Sequence, residues 1–298
     1  MSVRFDDKVV LVTGAGGGMG ERYARELGRR GASVVVNDLG GSVAGDGADA
    51  GPATKVADEI VAAGGHAIAN TDSVATPDGG RAIVQSALDA FGRLDAVINN
   101  AGILHPQPFQ ELDLEVLQAI IDVHLKGSIH VCQAAFDVMR TSGGGRIVNT
   151  SSSSVLGSAG HINYATAKGG LIALTRGLAV EGAEFGISAN AIWPLATTRM
   201  TEEALGPVAP LLDPEYIAPA VCWLAHADCP ANGEIISIAG GRVARVFIAE
   251  TPGWTERDLE KHTVEAVRDN FDKILAADGY AIPFDTNEEI GLILKDLM

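Results

Sequence analysis

Cysteine is scarce in this chain of 298 residues: there are three, Cys132, Cys222 and Cys229. An odd number without metal-ligand spacing excludes a disulfide framework and fits a reducing compartment. Cations are outnumbered as well, 22 Lys and Arg against 38 Asp and Glu, for a net charge of -16. A surface of that sign repels nucleic acid and anionic membranes, so neither is expected as a partner. No apolar run approaches the length of a membrane span, the opening Met1-Ser-Val-Arg-Phe-Asp-Asp7 has no apolar leader region, and Lys295-Asp-Leu-Met298 is no recognised address. Cytoplasm is the expected compartment. Seven histidines lie scattered without an H-x-x-x-H or H-E-x-x-H pair, and no metal is expected.

Glycine is plentiful instead, 36 residues, and it clusters in Thr13-Gly-Ala-Gly-Gly-Gly-Met-Gly20. Glycine loses more conformational freedom on folding than any other residue, so a cluster implies special dihedrals or a close neighbour. Before it lies Lys8-Val-Val-Leu-Val-Thr13, expected as a buried strand, and after it Gly20-Glu-Arg-Tyr-Ala-Arg-Glu-Leu-Gly28 has helical composition. Strand, glycine loop and helix bring bare amide N–H groups and the positive end of a helix dipole to one spot, which suits a pyrophosphate. The spacing is T-G-x-x-x-G-x-G, with Gly14, Gly18 and Gly20 fixed and Gly16 and Met19 between them, unlike the general G-x-G-x-x-G fingerprint. A second run, Ala32-Ser-Val-Val-Val-Asn-Asp38, ends in an acid 18 residues beyond Gly20. A carboxylate there accepts hydrogen bonds from the adenosine ribose and repels a 2′-phosphate. Neither Arg nor Lys occupies the glycine loop or Leu39, so NAD is expected over NADP.

Strand-like segments at 8–13, 32–38, 66–70, 94–99, 145–150, 187–193 and 235–239 alternate with helical ones, and 47% of residues are hydrophobic. Near-continuous apolar strands predict a parallel sheet covered on both faces, a doubly wound α/β (Rossmann) fold of seven strands. Residues 113–139 read as one long helix, and 40–53 as a small-residue loop, mobile unless a cofactor orders it. The alternation ends near residue 241, which divides the chain into a catalytic domain, 1–241, and an extension, 242–298, packed on the same domain or on a partner subunit. In the extension Arg242–Ile248 reads as an extra strand, 255–277 as mostly helical, and 287–297 as a short helix with Asn287 as its N-cap.

Tyr164-Ala-Thr-Ala-Lys168 opens another helical segment, and positions i and i+4 share a helix face. A cation beside a phenol favours phenolate, which moves the tyrosine pKa down toward the range useful for proton transfer. Asn149-Thr-Ser-Ser-Ser-Ser154 follows the strand 145–148 and sets hydroxyls at the carboxyl edge of the sheet, where ligands bind in open α/β folds.

With the glycine loop, Asn99-Asn-Ala-Gly102, Ser151 and Tyr164/Lys168 in this order, the sequence resembles the short-chain dehydrogenase/reductase family from about Asp6 to Gly241. The resemblance implies that Tyr164 is the general acid/base, that Lys168 binds the nicotinamide ribose and tunes it, and that Ser151 holds the reacting oxygen. Ser151 is preferred to Ser152, Ser153 and Ser154 because the family sets its serine thirteen residues before the tyrosine. It also implies cofactor contacts from Asp72 and Ser73, from Asn100, Ala101 and Gly102, and from Pro194 and Thr197 in the loop Trp193–Thr198.

Where most of the family carries a catalytic Asn in the context N-x-K-G, this chain has His124-Leu-Lys-Gly127. The histidine either holds the water of the proton relay, or titrates near neutrality and changes the pH profile, or is a kink or core residue. His-Leu-Lys-Gly, Val36-Asn-Asp-Leu-Gly-Gly41, Asn70-Thr-Asp-Ser-Val74 and Arg199-Met-Thr201 are similar to the (3R)-hydroxyacyl-CoA dehydrogenase units of multifunctional β-oxidation enzymes, a group that includes 17β-hydroxysteroid dehydrogenase activity. The expected substrate is therefore a small molecule, an acyl-CoA thioester or a steroid, with Leu205, Val208, Leu211 and Leu212 as apolar lid material. Members are usually homodimers or homotetramers. The other class of function compatible with these residues is a protein that holds NAD(H) without turnover.

Overall fold

The computed structural model describes residues 2–198 and 200–297, apart from the side chains of residues 203, 204 and 296. Arg199, of the motif Arg199-Met-Thr201, lies outside the described residues. Strands β1 (Val9–Thr13), β2 (Ser33–Asn37), β3 (His66–Asn70), β4 (Ala96–Asn99), β5 (Gly145–Thr150), β6 (Ile187–Leu195) and β7 (Ile235–Ala239) pair in parallel in the order β3-β2-β1-β4-β5-β6-β7. Every residue of β1 is buried because helices cover both faces, so its apolar run is continuous and does not alternate. Alternate side chains feed opposite layers. Val10 and Val12 join Tyr23 and Leu27 of α1 (Gly18–Arg29) and Ile60 of α2 (Gly51–Ala62). Val9 and Leu11 join Ile83 and Val84 of α3 (Pro77–Phe91) on the other face. Each such large aliphatic side chain, fully buried, contributes roughly 1.5–3 kcal/mol.

The extra strand expected over Arg242–Ile248 is present as β8 (Arg242–Val246), which follows β7 at the edge and joins the same sheet as the seven expected strands. The two-residue link Gly240–Gly241, with φ of +51° and +83°, only suits a chain that turns straight back.

The expected single helix over 113–139 comes in three pieces, α4 (Leu114–Ile121), a π turn Asp122–Lys126, and α5 (Gly127–Ser142). In the turn the Gly127 N–H donates to the carbonyl of Asp122. Packing is the physical reason: a Cβ on Gly127 would stand 2.8 Å from Val74 Cγ2, and the wide turn carries His124 into the interior.

Residues from Val246 onward form a second compact unit. Within it only Val264–Asp269 and Phe271–Ile274 of the expected 255–277 helix are helical. Trp254 stacks on His262 with ring centroids 5.5 Å apart, and an eight-residue helix would separate them by about 12 Å. The last helix, Thr286–Leu297, takes its cap from Asp285, whose Oδ1 accepts the Glu288 N–H at 2.9 Å, and not from Asn287. Among the described residues no helix is long and apolar enough to cross a membrane.

Candidate active site

The strand order reverses between β1 and β4, and the loops leaving their carboxyl ends part there to form a cleft. The glycine loop builds one wall. Gly14 and Gly18 take φ of +63° and +56°, a region where a side chain is strained. Gly20 is needed for space: a Cβ there would stand 2.2 Å from the carbonyl oxygen of Gly14 and 2.6 Å from Asn100 Nδ2. Gly16 fits under Asp38 and Pro52, whereas Gly18 looks onto the open cleft, its nearest neighbour being Thr198 Cγ2 at 3.8 Å. Gly17 caps α1 without a side-chain hydrogen bond, so the first amides of that helix face the cleft. We expect Gly20→Ala to destabilise the fold by about 1–3 kcal/mol, read as a lower urea midpoint at unchanged slope, because the obstructing atom is backbone and cannot swing aside. An unchanged midpoint would show that the loop gives way.

Of the residues expected to contact a cofactor, Gly14, Gly18, Met19, Asp38, Asp72, Ser73, Asn100, Ala101 and Gly102 line the cleft. Asp38 is held there by two backbone donors, Gly16 N–H to Oδ2 at 2.8 Å and Gly40 N–H to Oδ1 at 2.7 Å. Asn100 donates Nδ2–H to the carbonyls of Thr13 and Gly14, and its buried Oδ1 has no partner among the described residues. The open Gly18 wall, the uncapped helix start and the fixed Asp38 carboxylate fit a dinucleotide. Pro194 lies in β6 opposite Ile238, and Thr197 turns its hydroxyl to the Ala209 carbonyl at 2.7 Å, so neither faces the cleft. Thr198 does, in place of Thr197. The loop 40–50 is a folded turn closed by Ser42 N–H to Asp46 O at 2.8 Å, and Leu104 N–H donates to Val43 O at 2.9 Å. Its Ser42 and Val43 line the cleft, a contribution that small-residue composition alone did not signal.

The second group stands where β5 gives way to α6 (Ile162–Gly182). Asn163 anchors the helix start, donating Nδ2–H to His105 O at 2.9 Å and accepting the Tyr164 N–H at 2.7 Å. Lys168 is 2% exposed; its Nζ lies 5.4 Å from the Tyr164 ring centroid and donates to the Thr150 carbonyl. Ser151 is not the serine that meets the tyrosine. Its Oγ donates to Lys168 O at 2.7 Å and accepts the Trp193 indole N–H at 3.2 Å, deep in the interior. Ser152, whose φ of -161° continues the strand, points to the opposite side, where its side chain acts to lower the pKa of the Tyr164 phenol. Its Oγ accepts the Ser154 N–H at 3.1 Å, leaving the hydroxyl hydrogen for the phenol oxygen.

The phenol is not made acidic by its lysine in this arrangement. Burial pushes the Tyr164 pKa up to about 12, with Ser152 acting in the other direction, while burial pulls Lys168 down to about 7. His124 packs edge-to-face on Tyr164 with centroids 5.1 Å apart, and its ring fills the space over Gly102, where a Cβ would stand 2.4 Å from Cε1. Its Nε2 lies 2.7 Å from the Ile103 carbonyl and 3.0 Å from the Ile103 N–H, and its buried Nδ1 has no partner among the described residues. Burial, aided by the Lys168 charge, holds its pKa well below 6.5, so it is neutral at pH 7 and does not titrate near neutrality. Below pH 6.5 the unfolded chain takes up a proton that the folded one refuses, so stability falls with acid. We expect His124→Gln to flatten that acid limb, checked by urea midpoints at about pH 7.5 and pH 5.5; equal pH sensitivity in both proteins would contradict it.

The chain is similar to known proteins in sequence and in fold. The family model described as short chain dehydrogenase matches residues 8–206. The chain is 44% identical over 298 residues to peroxisomal multifunctional enzyme type 2 of Mus musculus, across 99% of this chain and 40% of the mouse protein. It therefore spans less than half the length of that relative. The solved structure of full-length peroxisomal multifunctional enzyme type 2 from Drosophila melanogaster superposes with a TM-score of 0.82 at 32% identity, over 99% of this chain and 50% of that one. A 7α-hydroxysteroid dehydrogenase complexed with NADH and 7-oxo glycochenodeoxycholic acid superposes with a TM-score of 0.71 at 28% identity, over 80% of this chain and 95% of that one.

Proposed function

Because the chain belongs to the short-chain dehydrogenase family, whose members are oxidoreductases, we propose that it interconverts a (3R)-hydroxyacyl-CoA and the 3-oxoacyl-CoA with NAD as cofactor. The observation that carries the reading is the convergence of Tyr164, Ser152 and Lys168, joined through His124 to Gly102 of the cleft wall. Bound NAD supplies the hydride acceptor for the carbon-bound hydrogen of the alcohol. Tyr164, ionised in the loaded site, takes the hydroxyl proton, and Ser152 donates a hydrogen bond to the reacting oxygen as it becomes a carbonyl. Lys168 holds the nicotinamide ribose and favours the phenolate. His124, a neutral imidazole with Nδ1 uncommitted, holds the relay water. Asp38 takes the adenosine ribose hydroxyls and disfavours NADP.

Support for the thioester comes from the likeness to the multifunctional enzymes along nearly the whole chain. Leu205, Val208, Leu211 and Leu212 then cover the acyl chain. The likeness to the 7α-hydroxysteroid dehydrogenase favours a second reading, a steroid hydroxyl presented to the same residues. The proposed compartment is the cytoplasm, supported by three free, buried cysteines, although the mouse relative is named peroxisomal. The proposed assembly is a homodimer or homotetramer, supported by Ile290, Ile293, Leu294 and Leu297, apolar and exposed on the last helix.

Purified protein supplied with NAD and, in parallel, a (3R)- and a (3S)-hydroxyacyl-CoA and a 17β-hydroxysteroid tests the choice by NADH formation. Strong preference for the (3R) thioester is expected. Turnover of the steroid alone would replace the substrate, and silence on all three alongside tight NAD binding would favour a non-catalytic NAD(H) carrier.

A further inference from the structure

The inner serine of the run takes no part in the reaction proposed above, yet its hydroxyl is fully engaged. An indole N–H only donates, so Trp193 Nε1, 3.2 Å from Ser151 Oγ, occupies a lone pair of that oxygen. The hydroxyl hydrogen is thereby directed to the Lys168 carbonyl, 2.7 Å away. Lys168 is consequently held at both ends by successive residues of the chain: its carbonyl by Ser151 and its ammonium by the carbonyl of Thr150. Ser151 and Trp193 are 1% and 6% exposed, so no water competes for these bonds.

A lysine with a flexible four-carbon stem and a desolvated ammonium tends to swing toward water unless its backbone is fixed. Tyr164 lies one helical turn before Lys168, so whatever fixes the backbone at 168 also fixes the phenol against β5. We propose that Trp193 and Ser151 are positioning residues that clamp the Lys168 turn of α6 to the end of β5 and so keep the ammonium beneath the Tyr164 ring. The clamp reaches from β6 across β5 to α6. It rests on the reading of Tyr164 as the acid/base, but its test needs no alcohol substrate.

Tyr164 ionisation can be followed in saturating NAD as the phenolate absorbance difference between a protein and its Tyr164→Phe counterpart. Relative to the parent, Trp193→Phe and Ser151→Ala are expected to shift that titration upward by about half a pH unit or more, since in the NAD-loaded site, where the proposed function has Lys168 charged beside an ionised phenol, the ammonium is less well held. NAD affinity is expected to stay within about twofold, and kcat with the working alcohol to fall about 3- to 10-fold at unchanged cofactor KM. Unshifted titrations in both folded variants would overturn the clamp, whatever the substrate proves to be. So would loss of all turnover in Ser151→Ala with turnover kept in Ser152→Ala, because Ser151 would then be the serine at the reacting oxygen. Should Ser151→Ala fail to fold, Trp193→Phe, which keeps an aromatic ring and removes only the donor, decides alone.

Discussion

Tyr164→Phe is expected to lower kcat by roughly 10³-fold or more while leaving the affinity for NAD within about twofold of the parent. The change deletes one oxygen and keeps the ring, so the edge-to-face contact with His124 persists. Tyr164 is not among the residues that line the dinucleotide cleft, and Gly18, Asp38 and Ala101, which do, are untouched. What disappears is the hydroxyl that stands with Ser152 and beside Lys168. The loss should therefore appear in kcat and in kcat/KM for the alcohol alike, the signature of an interaction made in the transition state. Steady-state kinetics beside an equilibrium titration with NAD check it. Activity within about tenfold of the parent would remove Tyr164 from the chemistry.

Lys168→Met should be both far less active and more stable. Its ammonium is buried among protein atoms and donates to the Thr150 carbonyl, and burial draws its pKa from 10.5 down to about 7. The sign follows from that direction. Between pH 7 and 10.5 the unfolded chain binds a proton that the folded chain does not, so the parent's stability rises with pH across this window, and at lower pH the folded chain carries the full burden of a desolvated cation. Methionine fills similar volume without charge, and replacing a buried ionic group by an apolar one is commonly neutral or stabilising by about 1–4 kcal/mol. Turnover is expected to drop about 10²- to 10⁴-fold, because the ribose contact and the cation beside the phenol go together. Urea midpoints across neutral and alkaline pH check the stability half: the parent should gain with pH while Lys168→Met stays flat. A variant that is less stable than the parent at neutral pH would mean that the Thr150 bond outweighs desolvation.

The glycine loop was legible in the sequence because its requirements are local. A positive φ at Gly14 and Gly18 and a bare Cα at Gly20 act over a few residues, and only glycine satisfies them. The parallel sheet was legible for a similar reason, since burial on both faces writes itself as unbroken apolar runs. The choice among Ser151–Ser154 was not. Counting thirteen residues back from Tyr164 crosses a loop whose length is free to vary, and an error of one residue at the end of an extended strand puts the hydroxyl on the other side. Thr197 and Thr198 exchanged places as well, in a bend beyond the end of β6 whose course no local pattern encodes. The state of His124 depended on which elements close around it: Gly102 below, Ile103 beside it and Lys168 nearby remove it from solvent, and no pattern along 122–127 encodes that enclosure. Likewise the depressed Lys168 and the raised Tyr164 follow from packing that brings α6 against β5, which pairing at i and i+4 does not reveal.

The most direct test of hydride transfer at this site uses a (3R)-hydroxyacyl-CoA carrying deuterium on the hydroxyl-bearing carbon, with purified protein and NAD, followed by mass analysis of the reduced nucleotide. One deuterium in the NADH and a matching 3-oxo product are expected, and both should form roughly 10³-fold or more slowly with Tyr164→Phe. Unlabelled NADH, or a labelled nucleotide produced equally well by Tyr164→Phe, would contradict the assignment of this site.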